Sequence, residues 1–356
     1  MNCKKATKSY EAWLAKQTTT VKADLALKHK QMSADIFSFL RATFYRWVEL
    51  CPKVCSDLAK APVVLAVGDL HVENFGTWRD REGRLVWGIN DFDEAAVLPY
   101  TSDLLRLAVS AHLAIAGNQL TIRPADACKA IVAGYTRGLS DGGRPFVLAE
   151  WNQWLRLTVL SNLRDPVKYW EKLNNLRSVK QKVPAGAGRA LEQMLPEKKL
   201  EYRVVHRVAG LGSLGRQRFL SIAEWNGGHI AREAKALVPS ALAWARGKGK
   251  EKSRYRKIVE HAVRCPDPFL AVHKGWIVRR LAPDCSRVDL AAIPKGRDEY
   301  KLLERMGRET ANIHLGSDRT IARVKHELRS MPSDWLHTGA TALVQAITED
   351  WNEWRR

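Results

Sequence analysis

Residues 68 to 76 read Gly-Asp-Leu-His-Val-Glu-Asn-Phe-Gly and follow the apolar run Val63-Val64-Leu65-Ala66-Val67. A short run of this kind, bounded by a glycine, reads as a buried strand. Asp69 therefore stands at a strand end, with Asn74 five residues further on. A second strand-like run, Leu85-Val86-Trp87-Gly88-Ile89, ends in Asn90-Asp91-Phe92-Asp93-Glu94. Together these segments constrain the chain more than any other feature, because they set carboxylates and a carboxamide at the ends of neighbouring strands.

Asp and Asn are ordinary turn formers after strands, and the D-x-x-x-x-N spacing of Asp69 and Asn74 carries little alone. It carries more when Gly-Asp-Leu-His, an in-register Asn, a strand and Asp-Phe-Asp follow one another. Phosphoryl transfer needs this set: a carboxylate to orient the attacking hydroxyl, and oxygen donors for Mg²⁺ that neutralises the phosphate oxygens. The spacing is that of a kinase catalytic loop. It predicts Asp69 as catalytic base and Asn74 and Asp91 as metal ligands, with Asp93 supporting them or supplying a second metal site. His71 is expected either to hydrogen-bond within the loop or to pack as a structural histidine.

A glycine pattern occurs more than a hundred residues later. The strand-like stretch 203–209 runs into Gly210-Leu211-Gly212-Ser213-Leu214-Gly215, and a second strand pattern covers 218–225. Asn226-Gly227-Gly228 is a hairpin turn signal. A third short strand, 229–232, leads into Glu233-Ala234-Lys235. In a dinucleotide-binding unit G-x-G-x-x-G opens a helix. Here a strand follows, so the hairpin phosphate cover of kinases fits better. Gly210, Gly212, Ser213 and Gly215 are the expected phosphate-binding positions, since glycines let backbone amides approach phosphate closely. A cation for the phosphates is expected from Arg232 or Lys235. Alternation puts the two on opposite faces, so only one can point at a nucleotide.

These elements stand in an unusual order, with the catalytic loop and metal carboxylate before the glycine turn. A long helix near 297–314 ends in Ala311-Asn312-Ile313-His314 and would lead into the catalytic loop in ordinary order. The expectation is an α+β, kinase-like two-lobe fold that is circularly permuted, which folds tolerate when the joined ends lie close. Its expected divisions are a helical catalytic-loop lobe (1–199), a β-rich glycine-loop lobe (200–283) and C-terminal helices (284–356) packing on the first. The stretch 183–188, Val-Pro-Ala-Gly-Ala-Gly, reads as a loop or a lobe boundary.

The segments Phe37 to Thr43, Gly68 to Gly76, Asn90 to Glu94, Gly210 to Gly215 and Arg232-Glu233-Ala234 together resemble a bacterial family catalogued as domain-of-unknown-function family 2252. The catalytic-loop segment also resembles aminoglycoside phosphotransferases and choline kinases, which carry His-Gly-Asp-Leu-His-x-x-Asn followed by Ile-Asp-Phe. That likeness implies the same roles for Asp69, Asn74 and Asp91, and makes Asp103 the helix aspartate that braces the catalytic loop. The sequence departs from those enzymes in three respects. Val67 stands where they have the first His, the order is permuted, and Arg232 stands where Lys is expected. Arg and Lys are not interchangeable at a phosphate site.

The chain has 356 residues, 46% of them hydrophobic, enough for two lobes with a real core. No apolar run reaches a membrane span, and neither a signal peptide nor a membrane partner is expected. Six scattered cysteines form no disulfide framework, which points to a reducing cytoplasm. The net charge of +20 would attract nucleic acid, but the basic residues are spread out. The densest run, Arg246 to Lys257, reads as a solvated loop and helix start. The leading expectation is an ATP- and Mg²⁺-dependent phosphotransferase with a small-molecule acceptor. The alternatives are nucleotidyl (AMP) transfer by the same fold, and a non-catalytic pseudokinase or nucleic-acid-binding module.

Overall fold

The computed structural model describes residues 1–148, 152–180, 182–247 and 251–356. Residues 248–250 of the basic run lie outside the described residues. The fold is α+β, with three separate antiparallel sheets among the described residues. Val63–Ala66 (β1) pairs with Ala96–Pro99 (β4). Phe75–Arg79 (β2), Leu85–Ile89 (β3) and Phe146–Val147 (β5) make a second, three-stranded sheet. The third sheet has five strands: Arg203–His206 (β6), Arg218–Trp225 (β7), Gly228–Ala236 (β8), Ala271–His273 (β9) and Trp276–Leu281 (β10), in the order β6-β7-β8-β10-β9. The β7–β8 hairpin turns at Asn226 and Gly227, both at positive φ, as the Asn-Gly signal requires.

β8 continues through Ala236 instead of ending at Arg232. Lys235 is thus a strand residue, paired with Arg218 on β7. The segment from 22 to 54 forms three helices, Lys22–Ala34, Ile36–Ala42 and Phe44–Val54. It breaks at Asp35, whose carboxylate caps the next helix by accepting from the Ser38 N–H.

The expected loop at 183–188 is instead a helix, Ala185–Glu192. Pro184 precedes its first turn, where a proline's missing N–H costs nothing. A Cβ on Gly186 would lie 2.9 Å from the Trp276 indole nitrogen, so this glycine allows close packing on β10. Ala187, Ala190 and Leu191 bury against Phe219, Ala234 and Trp276 on one face of the five-stranded sheet. Leu173, in the helix Pro166–Asn174, buries against Val205, Leu220 and Leu281 on its other face. These helices flank the sheet from both sides.

The main core runs from Cys3 to Ile347 and joins the N-terminal helices, β1 to β4 and the C-terminal helices. At its centre is the helix Tyr100–Ala116, buried on nearly every side. Asp103, Arg106 and Ser110 recur on it at helical spacing and so share one face.

Candidate functional site

β1 ends at Ala66, and the chain turns at Gly68, whose φ is +84°. A Cβ there would lie 2.4 Å from the Glu94 carbonyl, so only glycine fits this turn. The turn is held by the helix below it. Asp103, fully buried, accepts from the backbone N–H of Val67 at 2.7 Å and of Gly68 at 2.9 Å. Ser110, two turns on, accepts from Val72 N at 3.0 Å. Between them the buried Arg106 donates to Asp69 Oδ1 through Nε at 2.9 Å and also through Nη2, and it lies over the Phe44 and Trp47 rings. Asp69 therefore has one oxygen fixed and the other, Oδ2, facing the cavity. Burial raises the Asp69 pKa against the pull of Arg106, and the Glu94 and Asp91 charges raise it further.

Asn74 ties the two acidic segments together. Its Nδ2 donates to the carbonyls of Asp69 (3.2 Å) and Asp91 (3.1 Å), and its Oδ1 accepts from Asp91 N at 3.1 Å. Asp91 and Asp93 share a cation: Lys235 Nζ lies 3.2 Å from Asp91 Oδ1 and 2.7 Å from Asp93 Oδ2. Burial works to raise both carboxyls. In Asp91 the charges of Lys235 and Arg279 outweigh it and hold the group below the usual range, whereas in Asp93 the Asp91 charge adds to burial and pushes it up. Asp93 Oδ1 is buried with no hydrogen-bond partner. His71 accepts from Glu73 N at 3.2 Å. Burial, with Arg41 and Arg287 nearby, lowers its pKa well below the ordinary value and keeps the ring neutral.

The glycine segment reaches this site from the other sheet. Gly210 (φ +72°) opens a tight turn, Leu211–Ser213, and Gly215 (φ +95°) closes it. A Cβ on Gly212 would stand 3.1 Å from Asp69 Oδ2 and 3.0 Å from the Arg41 carbonyl, so the turn lies directly over the carboxylate. Gly210, Gly212 and Ser213 line one cavity with Asp69, Asn74, Asp91 and Asp93; Gly215 does not line it. Val21 N donates to the Gly215 carbonyl at 2.8 Å, and Lys28 Nζ donates to the Gly212 carbonyl at 3.3 Å. Burial lowers the Lys28 pKa to about 8.

The alternation of Arg232 and Lys235 resolves here. Lys235 faces Asp91 and Asp93. Arg232 points to the far side of the sheet, donates from Nε to the Met194 carbonyl at 2.8 Å, and covers the Phe269 ring. Its guanidinium thus lies on the face away from Asp91 and Asp93, so its expected contact with a nucleotide is set aside. The position where the resemblance calls for Lys is thus a packed arginine, and the ammonium that reaches Asp91 and Asp93 is three residues on.

Sequence reasoning missed several groups. Arg106 stands one helical turn after Asp103, a spacing that would have found it. Arg216, next to Gly215, bridges Asp93 (3.3 Å) and Glu94 (2.9 Å); no local pattern marks it. Adjoining the site is a second cavity of about 250 Å³, lined by seven arginines, among them Arg207, Arg218, Arg264, Arg279 and Arg287, against two carboxylates, Asp91 and Asp267. Glu233, fully buried, offsets part of this charge by pairing with Arg207, Arg218 and Arg279. Asp91, Gly210 and Arg287 line both cavities.

Hard oxygen donors with one buried, unpartnered carboxylate oxygen fit a magnesium ion. A cavity so rich in guanidinium fits phosphate. Among the described residues no helix is long and apolar enough to cross a membrane. No curated protein and no solved structure matches the chain. Residues 20–183, which carry Asp69, Asn74, Asp91 and Asp103, match the model of the family described as "uncharacterized protein conserved in bacteria (DUF2252)", and this part of the chain is similar to that family.

Proposed function

We propose that the protein is an ATP- and Mg²⁺-dependent phosphotransferase of kinase-like, circularly permuted arrangement, acting on a small-molecule acceptor. One observation carries this reading: the glycine turn at 210–213 lies against Asp69 Oδ2 although more than a hundred residues separate them. The permutation is supported at the other junction. The helix Arg297–His314 ends with His314 Nε2 at 3.0 Å from Asp103, and Leu65 N in β1 donates to Ser317 Oγ at 2.7 Å. The helix end and the strand that precedes the catalytic loop are neighbours in space, as an unpermuted chain would have them in sequence.

In this reading Asp69 Oδ2 orients the acceptor hydroxyl and takes its proton, and a raised pKa suits a general base. Asp91, Asp93 and the Asn74 carboxamide oxygen would hold Mg²⁺, which when bound neutralises phosphate oxygens. Lys235 and the amides of the 210–213 turn grip the phosphates, and Arg106 keeps Asp69 in place. Titration calorimetry with ATP and Mg²⁺ on the wild type and Asp91→Ala tests this. Binding by the wild type only is expected; equal binding by both would sink the reading.

Nucleotidyl transfer is favoured by a different observation. Asp69 does not line the arginine cavity, whereas Asp91 does. A triphosphate with its terminal phosphates among those arginines would bring its α-phosphate to the edge that Asp91, Gly210 and Arg287 share with the cavity of Asp69. Mass spectrometry of the modified acceptor separates the two, because one product gains a phosphoryl group and the other a nucleoside monophosphate.

A further inference from the structure

A cluster of metal-ligating groups lies away from the phosphate cavities, where three helices pack together. His112 is near the end of the helix Tyr100–Ala116, Cys128 is in the helix Pro124–Ser140, and His337 is in the first turn of the helix Trp335–Arg355. The three helices are mutually in contact. His112 Nε2 is 3.3 Å from Cys128 Sγ, the two imidazole rings are 5.4 Å apart, and one ligating atom from each residue lies within 4.8 Å of the others. His112 and Cys128 are buried and His337 is half-buried.

The simplest account, a thiol donating to an imidazole, leaves one fact over: His337 Nδ1 is buried with no partner. Burial, with His337 beside it, lowers the His112 pKa to about 4.

We propose that His112, Cys128 and His337 form a zinc site that staples the C-terminal helix to the helix carrying Asp103 and Arg106. Thiolate and imidazole are ligands for zinc and poor ones for magnesium. Zinc–nitrogen bonds of about 2.0 Å and zinc–sulfur bonds of about 2.3 Å in a tetrahedron put ligand atoms roughly 3.3–3.6 Å apart. The observed separations need small side-chain shifts only. Three protein ligands leave a fourth position for water or a further donor. Burial pushes the Cys128 thiol up to about 12, so binding replaces the S–H bond with an S–Zn bond and releases the proton to solvent. The spacings from 112 to 128 to 337 match no short motif, which is why sequence inspection passes over them.

The test uses the purified full chain with Co²⁺ as spectroscopic probe and Zn²⁺ in competition with a chromophoric chelator. One equivalent of zinc per chain is expected, together with a thiolate-to-cobalt charge-transfer band. Cys128→Ser should abolish the band, and His337→Gln, at a half-exposed position, should weaken zinc binding at least about ten-fold. Chelation should lower the wild-type Tm by several degrees and leave that of Cys128→Ser unmoved. Asp91→Asn should bind zinc as the wild type does, which keeps this result separate from the phosphate cavity. Absence of the charge-transfer band in the wild type overturns the proposal. So do unchanged band and affinity in both Cys128→Ser and His337→Gln.

Discussion

His314 Nε2 lies 3.0 Å from Asp103 Oδ2, and both side chains are fully buried. Asp103 also receives the Val67 and Gly68 amides, and His314 Nδ1 meets the Tyr135 hydroxyl at 2.8 Å. One carboxylate thus joins the turn before Asp69 to the end of a helix two hundred residues later. Asp103→Ala leaves two buried N–H groups and a histidine without an acceptor, and should cost about 3–5 kcal/mol. Asp103→Asn keeps one acceptor oxygen and should cost less. Urea unfolding of both variants measures this, and a loss under about 1 kcal/mol for the alanine would show that Asp103 does not brace the turn.

Lys235 and Arg232 are three residues apart on β8 and do opposite things. Lys235→Met removes the ammonium shared by Asp91 and Asp93. It should weaken ATP·Mg²⁺ binding by about ten-fold or more, a loss of roughly 1.4 kcal/mol. Arg232→Met should leave that affinity within about two-fold while lowering stability, because its guanidinium packs on Phe269 and bonds the Met194 carbonyl. Calorimetry and thermal melts on the pair separate the roles, and the reverse pattern would contradict the assignment.

The candidate site was legible where its residues are local. Asp69, Asn74, Asp91 and Asp93 stand close in sequence after strands, and the strand pattern put them side by side. Gly210, Gly212 and Ser213 were legible as a turn, and the hairpin at Asn226-Gly227 is where the sequence signal put it. Arg216, Lys28 and the arginines at 264, 279 and 287 were not legible, since they arrive from separate elements and no spacing links them. The same limit explains Gly186 and Gly188. Their local preference is for a loop, but the helix that holds them packs on the sheet through Ala187, Ala190 and Leu191, with Gly186 against Trp276, so tertiary contact overrides propensity.

The helices Pro124–Ser140 and Arg297–His314 approach so closely that a Cβ on Gly134 would lie 1.8 Å from the Glu304 carbonyl, and one on Gly307 would lie 2.1 Å from the Ile131 carbonyl. Backbone meets backbone here, so no side chain can yield. Gly134→Ala should separate the helices and cost about 3 kcal/mol or more. Gly83→Ser, at a position with open space, is not a fair control because its φ is positive, whereas Gly188→Ala is one: it has open space and helical backbone. Denaturant midpoints should drop for Gly134→Ala and stay level or rise for Gly188→Ala.

Glu309 gives a pH dependence whose sign follows from its surroundings. It is buried in the Arg297–His314 helix, accepts from Ile89 N at 3.2 Å and from Asn312 Nδ2 at 2.8 Å, and burial raises its pKa from 4.5 to about 7 despite these bonds and the nearby Arg264 charge. The folded protein therefore keeps this proton over a range in which the unfolded chain has lost it. Stability falls as pH rises from about 4.5 to about 7 and is level beyond, by roughly 3 kcal/mol for this shift. Glu309→Gln cannot titrate. It forfeits one acceptor contact, a cost that does not change with pH, so the wild type should lose ground to it across that window. Unfolding free energies of both proteins at pH 5, 6, 7 and 8 give the difference directly, and a difference independent of pH would mean that Glu309 is ionised in the fold throughout.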